Sequence, residues 1–153
     1  MKLSRILLSA LVLTACAAAR STPERPWRVE VATSGGIAGH GVGTFAVDSD
    51  GLVRVQKPRS DAECTWTLGD EELNDLEILL GRAMAGSWSD SYVPKNSCCD
   101  RIHYTLSVDE AGDVRTTRWI DAPLPMPEDL SALTNAIVGG EGSIRVESGE
   151  RCR

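Results

Sequence analysis

Residues 27–55, WRVEVATSGGIAGHGVGTFAVDSDGLVRV, constrain the fold of this chain more than any other stretch. Val29 and Val31 alternate with Arg28, Glu30 and Ala32, the pattern of a strand with one buried face. The side chains then shrink: Gly35, Gly36, Gly39, Gly41 and Gly43 fall within nine residues. From about His40 a second strand pattern resumes and runs to Val47, carried by Val42, Thr44, Phe45 and Ala46. Bare main chain between two strands is either an irregular turn or a segment that another backbone can approach closely. The remainder of the chain then serves to hold its two ends.

Asp48-Ser49-Asp50-Gly51 predicts a turn, and Leu52, Val53 and Val55 a short third strand. The two aspartates lack the ligand ladder and terminal glutamate of a calcium loop, so they read as turn residues. Lys57 to Cys64 reads as a charged loop. A helix is predicted from Gly69 or Asp70 to Gly86. Asp70, Glu71 and Glu72 in its first turn complement the helix dipole, and Leu73, Leu76, Leu79, Leu80 and Met84 form an apolar face. Glu72 and Asp75 fall on the outer, solvated face. Ser87 to Asp100 reads as a loop. Ile102, Tyr104, Leu106 and Val108 alternate with His103, Thr105 and Ser107, and Val114 to Ile120 returns after a turn at Gly112, so 102–120 predicts a hairpin. Pro127 introduces a second helix with Leu130, Leu133, Ile137 and Val138 on its buried face, ended by Gly139-Gly140. The tail carries a strand-like piece at Ile144 to Val146 that would float without Cys152. The expected fold is α+β, a mostly antiparallel sheet with two helices packed on one face.

The N-terminus reads as a targeting segment. Lys2 and Arg5 precede the apolar run Ile6 to Leu13, too short to span a bilayer, which leads into Leu13-Thr14-Ala15-Cys16. This run resembles the lipobox of bacterial lipoproteins, and the resemblance implies cleavage before Cys16 and acylation of its thiol. It divides the chain into a signal peptide (1–15), a flexible tether (16–26) and a single α+β domain (27–153). Each buried CH₂ contributes about 0.8 kcal/mol, so several acyl chains on Cys16 would hold the protein stably to a lipid bilayer. The expected location is the cell envelope; Ala17 rather than Asp after the cysteine implies the outer membrane if the source cell is Gram-negative. Removing Lys2 and Arg5 from 16 basic residues leaves 14 against 22 acidic, a mature net charge of −8. An acidic domain argues against nucleic acid as a partner.

Four further cysteines, Cys64, Cys98, Cys99 and Cys152, make an even set for an oxidising compartment. Adjacent cysteines sit closer than disulfide geometry prefers, which leaves two pairings open. One is Cys64–Cys98 with Cys99–Cys152, the other Cys64–Cys99 with Cys98–Cys152. Zinc held by Cys98, Cys99 and His103 is the rival use, against which stands the absence of paired Cys-x-x-Cys spacing.

No catalytic set is visible. The chain has no His-Glu-x-x-His and no Gly-x-Ser-x-Gly, and its only histidines are His40 and His103. Gly39, Gly41 and Gly43 are followed by a strand pattern, whereas a nucleotide phosphate site needs a helix N-terminus there. No cofactor and no enzymatic activity are expected, which moves the weight to binding.

The run Val29-x-Val31-x-x-Ser34-Gly35-Gly36-Ile37-Ala38-Gly39 resembles the opening of the emfourin family, small bacterial protein inhibitors of protealysin-like and thermolysin-type zinc metallopeptidases. The order of elements is similar too, with Asp100 and Tyr104 at the aromatic strand and a proline-introduced helix from Pro127. The resemblance implies a thermolysin-like metallopeptidase, secreted or in the envelope, as partner. It implies that Ser34, Gly35, Gly36, Ile37, Ala38, Gly39 and His40 enter its cleft, with Ile37 as the apolar anchor. The alternative is a non-catalytic envelope lipoprotein acting as a structural or protein-binding module.

Overall fold

The computed structural model describes residues 25–36, 43–57, 62–97 and 100–152. In chain order the elements are β1 (Trp27–Gly35), β2 (Gly43–Asp48), β3 (Leu52–Gln56), β4 (Glu63–Thr67), α1 (Asp70–Ala85), β5 (Ile102–Glu110), β6 (Asp113–Ile120), α2 (Glu128–Val138) and α3 (Ile144–Arg151). The strands form one antiparallel sheet in the order β4-β3-β2-β1-β5-β6. The glycine-flanked first strand is therefore central, paired on both sides.

Register follows the two-residue period of the strands. Val29 lies between Val47 and Val108, and Val31 between Phe45 and Leu106. The same row continues to Val53 and Val55 on β3 and to Trp119 on β6. These side chains are buried and meet Leu73, Leu76 and Leu80 of α1, Leu130, Leu133 and Ile137 of α2, and Ile144 of α3 in one core. The alternate row faces away from the helices. There Arg28 bonds Asp48 and Glu30, each at 3.0 Å, and Asp48 also takes Arg54. Burial acts to lower the Arg28 pKa, but its hydrogen bond to Glu30 and the charge of and hydrogen bond to Asp48 outweigh it, so the guanidinium is held above its ordinary value.

One arginine joins α1 to the sheet. Arg115 on β6 donates to the carbonyls of Met84 (2.9 Å) and Gly86 (3.1 Å), groups that a helix end leaves without intrahelical partners. Its guanidinium also lies 4.2 Å from the centre of the Trp88 ring, and Trp88 Nε1 donates to Ala83 O at 2.8 Å. The following loop lies along the outer edge of β6: Tyr92 N donates to Arg118 O (2.8 Å) and Arg118 N to Asp90 O (3.2 Å). That covers part of an edge that would otherwise be open to pairing.

The α+β class and the antiparallel sheet are as expected; three features differ. First, β4 occupies the end of the expected charged loop and the residues after it, with Cys64 and Trp66 opposite Val55 and Val53 of β3. Second, the tail holds a third helix where a strand at Ile144 to Val146 was expected. Ser143 Oγ accepts from Val146 N, and the buried pair Ile144 and Ser148 sits at i,i+4 spacing while Val146 is exposed. Third, the disulfide is Cys64–Cys152, with Cα atoms 5.8 Å apart, so both expected pairings of Cys64 are corrected. The helical turn of the tail carries Cys152 to the edge strand, where Lys57 Nζ also bonds its carbonyl at 2.8 Å. Cys98 and Cys99 lie outside the described residues.

Two stability measurements follow from this frame. Arg115→Ala strips the end of α1 of two charge-assisted hydrogen bonds and a ring contact, and lowers the unfolding free energy by about 2 kcal/mol. An unchanged denaturation midpoint would contradict this role. The disulfide joins residues 88 apart in sequence. Replacing both Cys64 and Cys152 by alanine therefore costs about 2–4 kcal/mol, mostly by freeing the unfolded chain. Equal midpoints for wild type and double variant would show that the bridge adds no constraint.

Candidate functional site

The site begins where β1 outruns β2. Pairing with β2 ends at Thr33 opposite Gly43, whereas pairing with β5 continues to Gly35 opposite Ile102. Gly35 and Gly36 both take left-handed backbone angles, with φ of +85° and +81°. At Gly35 only glycine fits for a second reason: a Cβ there would stand 2.5 Å from the carbonyl oxygen of Arg101. One residue on, Gly36 N donates to that same oxygen at 3.2 Å.

The start of β5 is itself anchored. Asp100 enters it with φ of +56°, Arg101 pairs with Asp121 at 3.5 Å, and Asp121 N donates to Ile102 O at 3.2 Å. On the other flank Thr33 is buried and its hydroxyl donates to Gly43 O at 3.1 Å. The chain between Gly36 and Gly43 thus departs from and returns to hydrogen-bonded positions on the sheet's two middle strands. Ser34 and Gly35 are exposed. His103, also exposed, lies opposite Ser34. Beneath this end, Tyr104 stacks on Trp119 with ring centres 5.0 Å apart and planes 9° from parallel.

Of the residues expected to meet a protease, Ser34, Gly35 and Gly36 stand together at this end of the sheet. Ile37, Ala38, Gly39 and His40 lie outside the described residues, as does Cys16. Asp100 adjoins the glycine pair through Arg101, whereas Tyr104 belongs to the core. Among the described residues no group of three or more His, Cys, Asp or Glu side chains is placed to hold a metal ion; Cys98 and Cys99 are not among them. Sequence reasoning missed Thr33 and Arg101. A threonine at a position where the strand pattern calls for an apolar residue was a usable signal for the first. Arg101 acts through its backbone carbonyl, which no side-chain pattern reports.

No protein-family model, curated protein or solved structure matches the chain.

Gly35→Ala combines a strained φ with a backbone collision and is expected to destabilise the domain by about 2 kcal/mol or more. Thermal or denaturant unfolding reads this directly, and a neutral result would mean that β1 does not need its close approach to Arg101.

Proposed function

We propose that this protein is an envelope-anchored inhibitor of thermolysin-like zinc metallopeptidases, with residues 34–40 as the segment that enters the enzyme cleft. Such a cleft takes an extended peptide through strand-like hydrogen bonds and sets one carbonyl on the metal. Glycine-rich chain presents bare backbone to it, and Ile37 supplies an apolar side chain for the pocket beside the zinc. The observation that carries the reading is the clamp at both ends of the segment, Gly36 on Arg101 and Gly43 on Thr33. Fixed ends reduce the ordering cost of binding.

The position of the tether supports the same reading. Pro26 and Trp27 enter the sheet beside the β2–β3 and β5–β6 turns, accepting hydrogen bonds from Ala111 N and Ser49 N. From there β1 runs nine residues to Gly35. At about 3.3 Å per residue the glycine end stands about 30 Å from the tether. With Cys16 acylated, the segment would project away from the membrane. No residue is assigned a catalytic role.

A second reading, a non-catalytic structural or protein-binding module, draws on the sheet face turned away from the helices, where Ala32, Thr44, Thr105 and Ser107 form a low surface. The two readings part in one experiment. The chain lacking residues 1–16 is assayed against a panel of thermolysin-like peptidases, with Gly36→Trp as the control. Inhibition near one equivalent, lost in Gly36→Trp, is the expected outcome. No inhibition across the panel ends the first reading, and capture of a non-peptidase partner from envelopes supports the second.

A further inference from the structure

The helix layer carries a groove separate from the glycine segment. Its floor is apolar, made by Leu76 and Leu79 of α1, Ala136 of α2 and Ile144 of α3. Its rim is acidic: Glu72 and Asp75 rise from α1 and Glu147 from α3, and no basic side chain lines it among the described residues. The groove is half open and holds about 200 Å³. Pockets for cofactors and drug-sized ligands start near 300 Å³, so the size suits one large side chain of a partner.

The three carboxylates are not equally engaged. Glu72 Oε2 accepts from Gly69 N at 2.7 Å and so serves the start of α1. Asp75 makes no hydrogen bond or ion pair among the described residues. Glu147 Oε2 is buried and forms an i,i+4 ion pair with Arg151 Nε at 3.4 Å, but it receives no hydrogen bond among the described residues. An oxygen held by an ion pair alone keeps room for a hydrogen bond, which a donor arriving from the groove could supply. Ile78 on α1 and Val146 on α3, two of the large apolar side chains left exposed, belong to the helices that wall the groove.

We infer that this groove is a docking site for an arginine or lysine side chain on an extended segment of a protein partner. The alkyl stem lies on Leu76, Leu79 and Ile144, and the cationic head reaches Asp75 and Glu147. Long basic side chains combine an apolar body with a charged tip, which matches an apolar floor under an acidic rim. Arginine fits better than lysine, because a planar guanidinium can serve two carboxylates at once. This site is independent of the proposed role of the glycine segment. It would persist if that segment bound no peptidase.

The test uses the full chain with assigned methyl NMR signals and three end-blocked hexapeptides identical except at one central position: arginine, its neutral isostere citrulline, or norleucine. The arginine peptide is expected to shift the methyls of Leu76, Leu79, Ala136 and Ile144, and to bind more weakly as salt is raised. Asp75→Asn, an exposed and nearly isosteric change, should weaken that binding about threefold to fivefold. Adding Glu147→Gln should weaken it further. Four results would overturn the inference: unmoved groove methyls, equal binding of the citrulline or norleucine peptide, affinity unchanged in Asp75→Asn, or shifts that appear on concentrating the protein alone. The last would assign the groove to a second copy of the chain.

Discussion

The structure depends on the close approach of β1 to β5 at Gly35, where the absence of a side chain lets the strand lie against the Arg101 carbonyl. That contact lets β1 continue two residues beyond its last partner on β2. It also converts a flexible composition into a fixed departure point, because the next amide, that of Gly36, is bonded to the same oxygen. Thr33 does the complementary task on the return side by holding Gly43. Glycine is usually associated with freedom of the main chain; at Gly35 it removes freedom, because only a bare backbone can come near enough to be held.

Around this hub the molecule is layered. One face of the sheet is dry and covered by the helices; the other is polar, crossed by the Arg54–Asp48–Arg28–Glu30 ion chain. The margins are secured separately. Arg115 and the Trp88–Tyr92 loop hold the β6 side, and the disulfide with Lys57 holds α3 to the β4 side. A short tail helix with Ile144 as its buried apolar residue has little hydrophobic area with which to dock. A covalent tie supplies what that small contact lacks.

Much of this was legible in the sequence where periodicity was long. The 102–120 hairpin and the helices beginning near Asp70 and after Pro127 carry several repeats of their apolar pattern, and they lie where that pattern puts them. Short elements were not legible. The alternation of Cys64 and Trp66 in β4 is only five residues long and was absorbed into a charged stretch. In the tail, Ile144 and Val146 look like a strand row, but the cap at Ser143 turns the segment into a helix and leaves Val146 in solvent. Excluding an adjacent pair leaves Cys98 or Cys99 as the partner of Cys64, whereas spatial proximity, set by the tail helix, brings Cys152 to it. At the site, the flanking strands could be read and the backbone contacts could not. The groove was hidden for a different reason. Glu72 and Asp75 pass for ordinary surface charge until α3, distant in sequence, brings Glu147 beside them.

The central claim is that the glycine-rich segment leaves the sheet from fixed ends. Amide hydrogen exchange under native conditions tests it most directly. Gly36 N–H should exchange nearly as slowly as Ala32 N–H further back on β1, because both point to β5 and are released only when the β1–β5 pairing opens. Exchange of Gly36 at the rate of an unpaired loop amide, with Ala32 still protected, would show that the segment is free at its root.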